Sequence, residues 1–118
     1  MIIGIGVDIV ELERFQGKLD DTPALVDRIF TPSEREQATQ SLAGCWAAKE
    51  AVIKALGNPA GLSWQDVAVV KDELGKPFLD ISGETRTRAQ AMGITHWHLS
   101  ISHDGGLACA MVVAESGA

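Results

Sequence analysis

Apolar and small residues alternate along the first segment of the chain. Between residues 2 and 10, one face carries branched side chains at every second position, namely Ile3, Ile5, Val7 and Ile9. This period of two predicts a β-strand. The other face places Gly4 and Gly6 beside Asp8, and positions without a side chain leave the backbone open to close approach by another group.

The end of the chain alternates in the same way and predicts a terminal hairpin. Residues 96–102 separate an apolar face from a polar one, whose members are His96, His98, Ser100 and Ser102. The run His103-Asp104-Gly105-Gly106 then predicts a tight turn into a final strand over residues 107–114. A second hairpin is predicted for residues 67–70 and 78–81, with Gly75-Lys76-Pro77 in its turn.

Helical patterns occupy the middle of the chain. Residues 42–56 are rich in alanine and are followed by Gly57-Asn58-Pro59, which predicts one long helix with a glycine at its end. Thr31-Pro32-Ser33-Glu34 combines an N-cap threonine, a proline at the first helical position and a glutamate three residues after the cap. That pattern predicts another helix start. Shorter helices are predicted at residues 11–18, 23–29 and 85–92.

Together these elements predict a single α+β domain over residues 1–118. Its expected architecture is a mostly antiparallel sheet of about five strands, packed by the long central helix and the shorter helices. Composition agrees with this prediction, since 118 residues with 46% hydrophobic and 22% charged side chains are typical of one globular domain.

Charge and cysteine content exclude several classes of function. A net charge of −6 argues against a nucleic-acid partner, because binding a polyanion needs a basic surface. The apolar stretches are far shorter than a membrane span, and the first residues lack the basic region of a secretory signal. Cys45 and Cys109 show neither metal-ligand spacing nor the density of a disulfide framework. We therefore expect a cytoplasmic protein with reduced thiols and no membrane association.

The long helix carries charged residues close to its predicted apolar face. Wrapping it at about 100° per residue places Glu50 at the edge of that face and Lys54 one turn further on. The two are either an ion pair within the helix, contributing about 0.2 to 0.5 kcal/mol, or groups that face a ligand. Lys49 falls in the middle of the apolar face, where we expect its ammonium group to extend outward to solvent rather than to meet an anion.

Asp8 also permits two interpretations. It either ends a strand or is a carboxylate held on rigid backbone beside Gly4 and Gly6. Asp8 and Glu50 would suit Mg²⁺, which typically takes one or two carboxylates together with phosphate oxygens and water. His96 and His98 share a strand face without a third ligand nearby, so zinc is disfavoured.

Several common catalytic signatures are absent from the chain. It contains no phosphate-binding Gly-x-x-x-x-Gly-Lys loop, no Gly-x-Ser-x-Gly elbow and no His-Glu-x-x-His helix. His103 begins the terminal turn and is either a core histidine with a satisfied hydrogen bond or a phosphate donor. Any catalytic site is therefore assembled from distant segments, and the residues alone leave its reaction open.

Four blocks of the sequence, in order, resemble the small holo-acyl-carrier-protein synthases. They are Gly4 to Glu11 with Arg14-Phe15, Phe30 to Glu34, Trp46 to Gly57, and Trp97 to Asp104. Gly75-Lys76-Pro77 and residues 112–115 also match, so the resemblance covers nearly the whole chain. It implies the fold of a 4′-phosphopantetheinyl transferase. The implied reaction transfers 4′-phosphopantetheine from coenzyme A to a serine of an apo acyl carrier protein, in fatty-acid or polyketide synthesis, and releases adenosine 3′,5′-bisphosphate.

The resemblance also implies roles for individual residues. Asp8 and Glu50 match Mg²⁺ ligands, with Mn²⁺ as an alternative ion, and Lys54 completes the catalytic group. The coenzyme-binding positions are Lys54, Gly57, Ser102 and His103. Arg14 and Lys18 match basic residues that face the acidic helix of the carrier protein. The proton of the carrier serine is accepted either by Glu50 or by a water that it holds. A homotrimer with sites at subunit junctions is expected.

Two departures and two alternatives accompany this resemblance. Cys45 stands where the family usually carries arginine, so one phosphate contact is expected to be absent. The loop at residues 58–64 also differs from the shorter glycine-rich connection of many members. The alternatives are a non-catalytic coenzyme-binding module, which the presence of both Asp8 and Glu50 disfavours, and a metal-dependent phosphodiester hydrolase that uses water as its nucleophile.

Overall fold

The structure, a computed structural model, describes residues 1–117 and contains four α-helices and five strands in that range. In chain order they are β1 (Ile2–Glu11), α1 (Leu12–Asp21), α2 (Ala24–Ile29), α3 (Thr39–Ala55), β2 (Val67–Lys71), β3 (Pro77–Ile81), α4 (Gly83–Ala91), β4 (His96–Asp104) and β5 (Leu107–Glu115). The predicted α+β class and both predicted hairpins are confirmed. Over the same range, no helix combines the length and hydrophobicity needed to cross a membrane.

The strands form two antiparallel sheets, whereas the sequence predicts one. The first sheet has the order β1-β5-β4, and the second contains only β2 and β3. β3 lies beside β4 without hydrogen bonding to it. A cavity of about 310 Å³, lined by Leu79 and Ile81 of β3 and Trp97 of β4, lies between them.

Helix α3 packs directly on the glycine face of β1. A Cβ atom added to Gly4 would overlap the carbonyl oxygen of Ala55, and one added to Gly6 would overlap that of Ala51. The two glycines therefore allow the helix backbone to approach the strand closely. The predicted close approach is made by α3, and it brings the helix alongside Asp8.

We expect Gly6→Ala to lower the free energy of unfolding by roughly 1 to 3 kcal/mol, because the added methyl group has no space against the helix backbone. Urea unfolding followed by circular dichroism measures this change. Gly17→Ala is the matched control, since a Cβ at Gly17 in α1 would have no atom within 4 Å. The control should be neutral or stabilising, and wild-type stability of Gly6→Ala would contradict the described packing.

The predicted helix start at Thr31 is wrong. Residues 32–36 form turns, and α3 begins only at Thr39. The reciprocal contact expected of the motif does form, since the Thr31 N–H donates to Glu34 Oε1 at 2.8 Å. However, Glu34 is fully buried, and its Oε2 accepts from the backbone N–H of Val69 in β2 at 2.8 Å. The glutamate is thus held in the core, which stops the turn from continuing as a helix.

Lys49 is the partner of Glu34, which corrects the expectation that it extends to solvent. Both side chains are 0% exposed, and Lys49 Nζ lies 2.9 Å from Glu34 Oε1. The ammonium also donates to the carbonyl oxygens of Trp64, at 3.1 Å, and Val67. Burial lowers the pKa of Lys49, and the charge of Glu34 opposes that effect. A buried ion pair therefore joins α3 to the turn before it and to β2.

The two faces of the three-stranded sheet differ in burial. The inner face packs against α3 and buries small residues of β5, namely Ala108, Ala110, Val112 and Ala114. The outer face, which we define by Ile5, Val7, Ile9 and Met111, remains exposed at 57%, 52%, 60% and 46% respectively. An apolar surface of this kind marks a site of association with another molecule.

Candidate functional site

Asp8 and Glu50 line one cleft between β1 and α3. Asp8 lies on the inner face of β1, and Glu50 is contributed by α3. The cleft has a volume of about 300 Å³. Its walls also include Arg14 and Lys18 of α1, together with Trp46. The fold thus joins the two predicted metal ligands with the two predicted carrier-docking residues, although these come from distant segments.

Lys54 pairs with Asp8 rather than with Glu50. Its Nζ donates to Asp8 Oδ1 at 3.0 Å and to the Val7 carbonyl oxygen at 3.0 Å. Among residues 1–117, the ion pairs do not include one between Glu50 and Lys54, so the interpretation as an intrahelical pair is wrong. The Lys54 side chain is 43% exposed. Its ammonium group therefore stands at the edge of the cleft, where it is accessible to an anionic substrate.

The environment of the cleft destabilises the charged form of Glu50. Burial raises the pKa of Glu50, and the negative charge of Asp8 raises it further, while Lys54 acts in the opposite direction. A pair of partly desolvated carboxylates with one nearby ammonium is stabilised by an added cation. The electrostatics of the cleft thus favour the binding of a positive ion.

The donor set of the cleft fits a magnesium ion that shares its coordination with a substrate. Asp8 and Glu50 offer hard oxygen ligands on two rigid elements. Within the described part of the chain, no three His, Cys, Asp or Glu side chains cluster as a metal site. A metal held here would need additional oxygens from a substrate or from water, which is the usual situation for Mg²⁺.

The other predicted coenzyme-binding residues lie elsewhere in the subunit. Gly57 follows the end of α3 with a φ of 85°, a conformation that suits glycine. Ser102 pairs with Cys109 on the outer face of the sheet, whereas His103 points inward. The Nε2 of His103 lies 2.9 Å from the carbonyl oxygen of Gln40. Ser102 and His103 are therefore neighbours in sequence whose side chains occupy opposite faces of the sheet.

His103 lines a second cavity, of about 180 Å³, between α3, β4 and the β2–β3 hairpin. Cys45, the position where the family usually has arginine, lines the same cavity. Burial and the charge of Glu34 raise the pKa of this thiol to about 11. Two further lining residues, Gln37 and Lys71, were not singled out by the sequence patterns, because neither belongs to a recognisable motif.

Comparison with known proteins relates the whole chain to one family. A profile of the 4′-phosphopantetheinyl transferase superfamily matches residues 4–112. The holo-acyl-carrier-protein synthase of Pseudarthrobacter chlorophenolicus is 55% identical and covers 98% of this chain and 99% of its own length.

Solved structures agree with the sequence relatives. A holo-acyl-carrier-protein synthase from Neisseria meningitidis superposes with a TM-score of 0.88 at 34% identity, covering 98% of this chain and 100% of that one. The Helicobacter pylori holo-acyl-carrier-protein synthase in complex with coenzyme A gives 0.83 at 32% identity, covering 94% and 99%. The resemblance predicted from the sequence blocks is confirmed.

Proposed function

The chain belongs to the 4′-phosphopantetheinyl transferase superfamily, and from this membership we propose that Asp8 and Glu50 form the metal-binding part of its transferase site. Its reaction is the transfer of 4′-phosphopantetheine from coenzyme A to a serine of an apo acyl carrier protein. The observation that carries the assignment of the site is the single cleft in which both carboxylates meet Arg14 and Lys18.

In this reaction the serine oxygen of the carrier forms a bond to the β-phosphorus of coenzyme A. The bond from that phosphorus to the bridging oxygen breaks, and adenosine 3′,5′-bisphosphate leaves. Because the nucleophile belongs to the partner, the chain needs no activated serine or cysteine of its own. Glu50, whose pKa is raised by burial and by Asp8, accepts the serine proton either directly or through a water.

The remaining groups of the cleft stabilise negative charge. Mg²⁺, or Mn²⁺ in its place, would supply positive charge at the diphosphate oxygens as the bond breaks. Asp8 keeps the ammonium of Lys54 at the edge of the cleft, 3.0 Å away, from where it can contact a phosphate oxygen. Asp8 and Glu50 would hold the metal, so each of the three side chains has a defined role.

We assign coenzyme binding to Lys54, Gly57, Ser102 and His103, with a second subunit completing each site. Of these four residues, only His103 lines one of the two cavities, and the cavity of His103 shares no lining residue with the cleft of Asp8 and Glu50 within one subunit. Ser102 lies on the apolar outer face, where Ile9 is 60% exposed. A homotrimer that covers the outer face would bring residues of neighbouring subunits together at its junctions.

We expect Val7→Asp to dissociate this trimer, because it would bury a charge in an apolar contact. The rate of transfer should fall in proportion to the fraction of trimer that is lost. Size-exclusion chromatography with light scattering measures the mass of the assembly. Leu74→Asp is the matched control, since Leu74 is 95% exposed at the turn between β2 and β3, away from the outer face. A trimeric Val7→Asp, or a monomeric wild type, would exclude an assembly through the outer face.

Docking of the carrier should depend on Arg14 and Lys18, which are exposed on α1 beside the cleft. We expect Arg14→Glu to raise the KM for the carrier by roughly tenfold or more, because one close charge pair becomes a repulsion. The KM for coenzyme A should change little. Arg88→Glu, at an exposed position of α4, serves as a charge-matched control. Equal effects of Arg14→Glu on both substrates would remove the docking assignment.

One assay tests the reaction against its alternatives. The protein is incubated with coenzyme A, Mg²⁺ and an apo carrier, and the carrier is weighed by mass spectrometry. An increase by one phosphopantetheine group is expected. An unchanged carrier with bound coenzyme would indicate a binding module, and coenzyme cleavage without carrier would indicate a hydrolase. Fatty-acid and polyketide carriers are compared in parallel.

We further propose a cytoplasmic location, which fits the free thiols of Cys45 and Cys109.

A further inference from the structure

A third cavity opens where β3 and β4 run side by side without pairing, and we call it the β3–β4 cavity. Helix α4 closes it on a third side. Its volume of about 310 Å³ lies at the lower end of the range that is typical of small-molecule sites. Within residues 1–117, it shares no lining residue with the cleft of Asp8 and Glu50 or with the cavity of His103. The proposed transfer therefore leaves this cavity without a role.

The walls of the β3–β4 cavity are apolar and continuous with the core. Ala89 of α4 and Ile94 form its most buried part, with 2% and 5% of their surface exposed. Leu79, Ile81 and Trp97 pack against the core but are only half-buried, so part of their apolar surface remains in contact with water. Removing such surface from water is favourable. An apolar group that enters the cavity would therefore complete the burial of these side chains.

One positive charge stands at the rim of the β3–β4 cavity. Arg86 is exposed on α4, lines the cavity and forms no ion pair with another residue of the range 1–117. Among these residues, no aspartate or glutamate lines the cavity, and its other polar lining residues, Gln90 and Thr95, are uncharged. A guanidinium group binds a carboxylate through two parallel hydrogen bonds. The rim therefore favours an anion, while the walls favour an apolar group.

We infer that the β3–β4 cavity binds a monocarboxylate with an apolar tail, whose carboxylate pairs with Arg86 and whose tail lies between β3 and β4. An apolar cavity of about 150 Å³ admits benzene, so about twice that volume accommodates a tail of roughly six to ten carbons. A medium-chain fatty acid has this size and charge. The inference does not rest on the proposed function, since neither coenzyme A nor a carrier protein takes part in the binding.

The test titrates isotope-labelled protein with octanoate and follows the indole N–H signals of its three tryptophans by nuclear magnetic resonance. Trp97 lines the β3–β4 cavity, whereas Trp46 and Trp64 pack on each other and line a different cavity beside α1. Octanoate should shift the Trp97 signal, which is identified by its loss in Trp97→Phe, and leave the other two in place. Parallel shifts of all three signals, shifts of Trp46 and Trp64 alone, or no shift would each overturn the inference.

Two analogues separate the charge of the ligand from its tail. Wild type should bind octanoate roughly three- to tenfold more tightly than octanol, which has the tail without the charge. Acetate, which has the charge without the tail, should leave the Trp97 signal in place.

Two matched variants test the pairing of the carboxylate with Arg86. Arg86→Gln should bind octanoate no more tightly than octanol. Arg88→Gln, at another exposed position of α4 outside the cavity lining, should keep the preference for octanoate. Equal binding of octanoate and octanol by wild type, or a preference retained in Arg86→Gln, would overturn the inference. The titration uses neither coenzyme A nor a carrier, so its result is independent of the mass assay for transfer.

Discussion

Asp8→Asn and Glu50→Gln should each reduce transfer on the order of a thousandfold, the effect of removing one charge-stabilising group from a preorganised site. Each change removes a negative charge with almost no change in shape, so the metal loses a strong ligand. Both residues line the same cleft, and Glu50 also serves the proton transfer in the proposed mechanism. The measurement is single-turnover transfer to the carrier at saturating Mg²⁺.

Stability distinguishes a functional from a structural role for these carboxylates. The raised pKa of Glu50 means that the folded protein disfavours its charged form, so the charge destabilises the fold at pH 7. The destabilisation is lost as the pH falls through the raised pKa of folded Glu50 to the ordinary pKa of the unfolded chain. Glu50→Gln should therefore be as stable as wild type or more stable at pH 7, and the difference should shrink in acid.

Metal binding provides an independent readout of the same assignment. Titration with Mn²⁺, followed by electron paramagnetic resonance, should show much weaker binding in both variants than in wild type. Glu13→Gln, an exposed glutamate on α1 that does not line the cleft, is the control and should bind and react normally. Turnover near that of wild type in either cleft variant would reject the role of that residue.

Lys49→Met should lower the free energy of unfolding by roughly 3 to 5 kcal/mol, because it leaves the charge of Glu34 buried without its partner. Both side chains are 0% exposed, and their charged atoms lie 2.9 Å apart. The loss is a large fraction of the 5 to 15 kcal/mol that is roughly the stability of a typical domain. Urea unfolding measures it through the midpoint and slope of the transition.

Two further variants connect this loss to the ion pair. Lys54→Met removes the charge of a side chain that is 43% exposed, so it should cost only about 0 to 1 kcal/mol. Combining Lys49→Met with Glu34→Gln should destabilise less than the sum of the single changes, since the second change removes the unpaired charge. Additive effects would mean that the two residues stabilise the fold independently.

Local sequence determined the secondary structure wherever one residue pattern was sufficient. Alternation of apolar and polar residues predicted β1 and the β4–β5 hairpin, because a strand buries every second side chain. The alanine-rich run predicted α3, because alanine favours the helical backbone. The resemblance of ordered blocks to a known family identified the reaction, since motif order is a property of the sequence itself, and it predicted Asp8 and Glu50 as metal ligands.

Tertiary structure decided the environment of individual side chains. The motif at Thr31 predicts a helix, yet Glu34 accepts a hydrogen bond from Val69 and pairs with Lys49 in the core. Lys54 pairs with Asp8 of β1 rather than with its helical neighbour Glu50. In each case a partner from a distant segment outweighs the local preference. For Glu34 and Lys49 the reason is burial, because a buried charge is stabilised only by the groups that the fold brings to it.

The separation of the strands into two sheets and the placement of the predicted site residues also depend on contacts between distant segments. Strand pairing depends on hydrogen bonds between segments, so the residue pattern of β3 or of β4 alone does not predict that the two strands remain unpaired. Ser102 and His103 are adjacent in sequence, but the alternation of a strand sends them to opposite faces of the sheet. Local sequence determined the alternation of these side chains, and only the packed fold decided that His103 lines a cavity with Cys45 while Ser102 lies on the outer face, because contacts between elements join residues that are far apart in the chain.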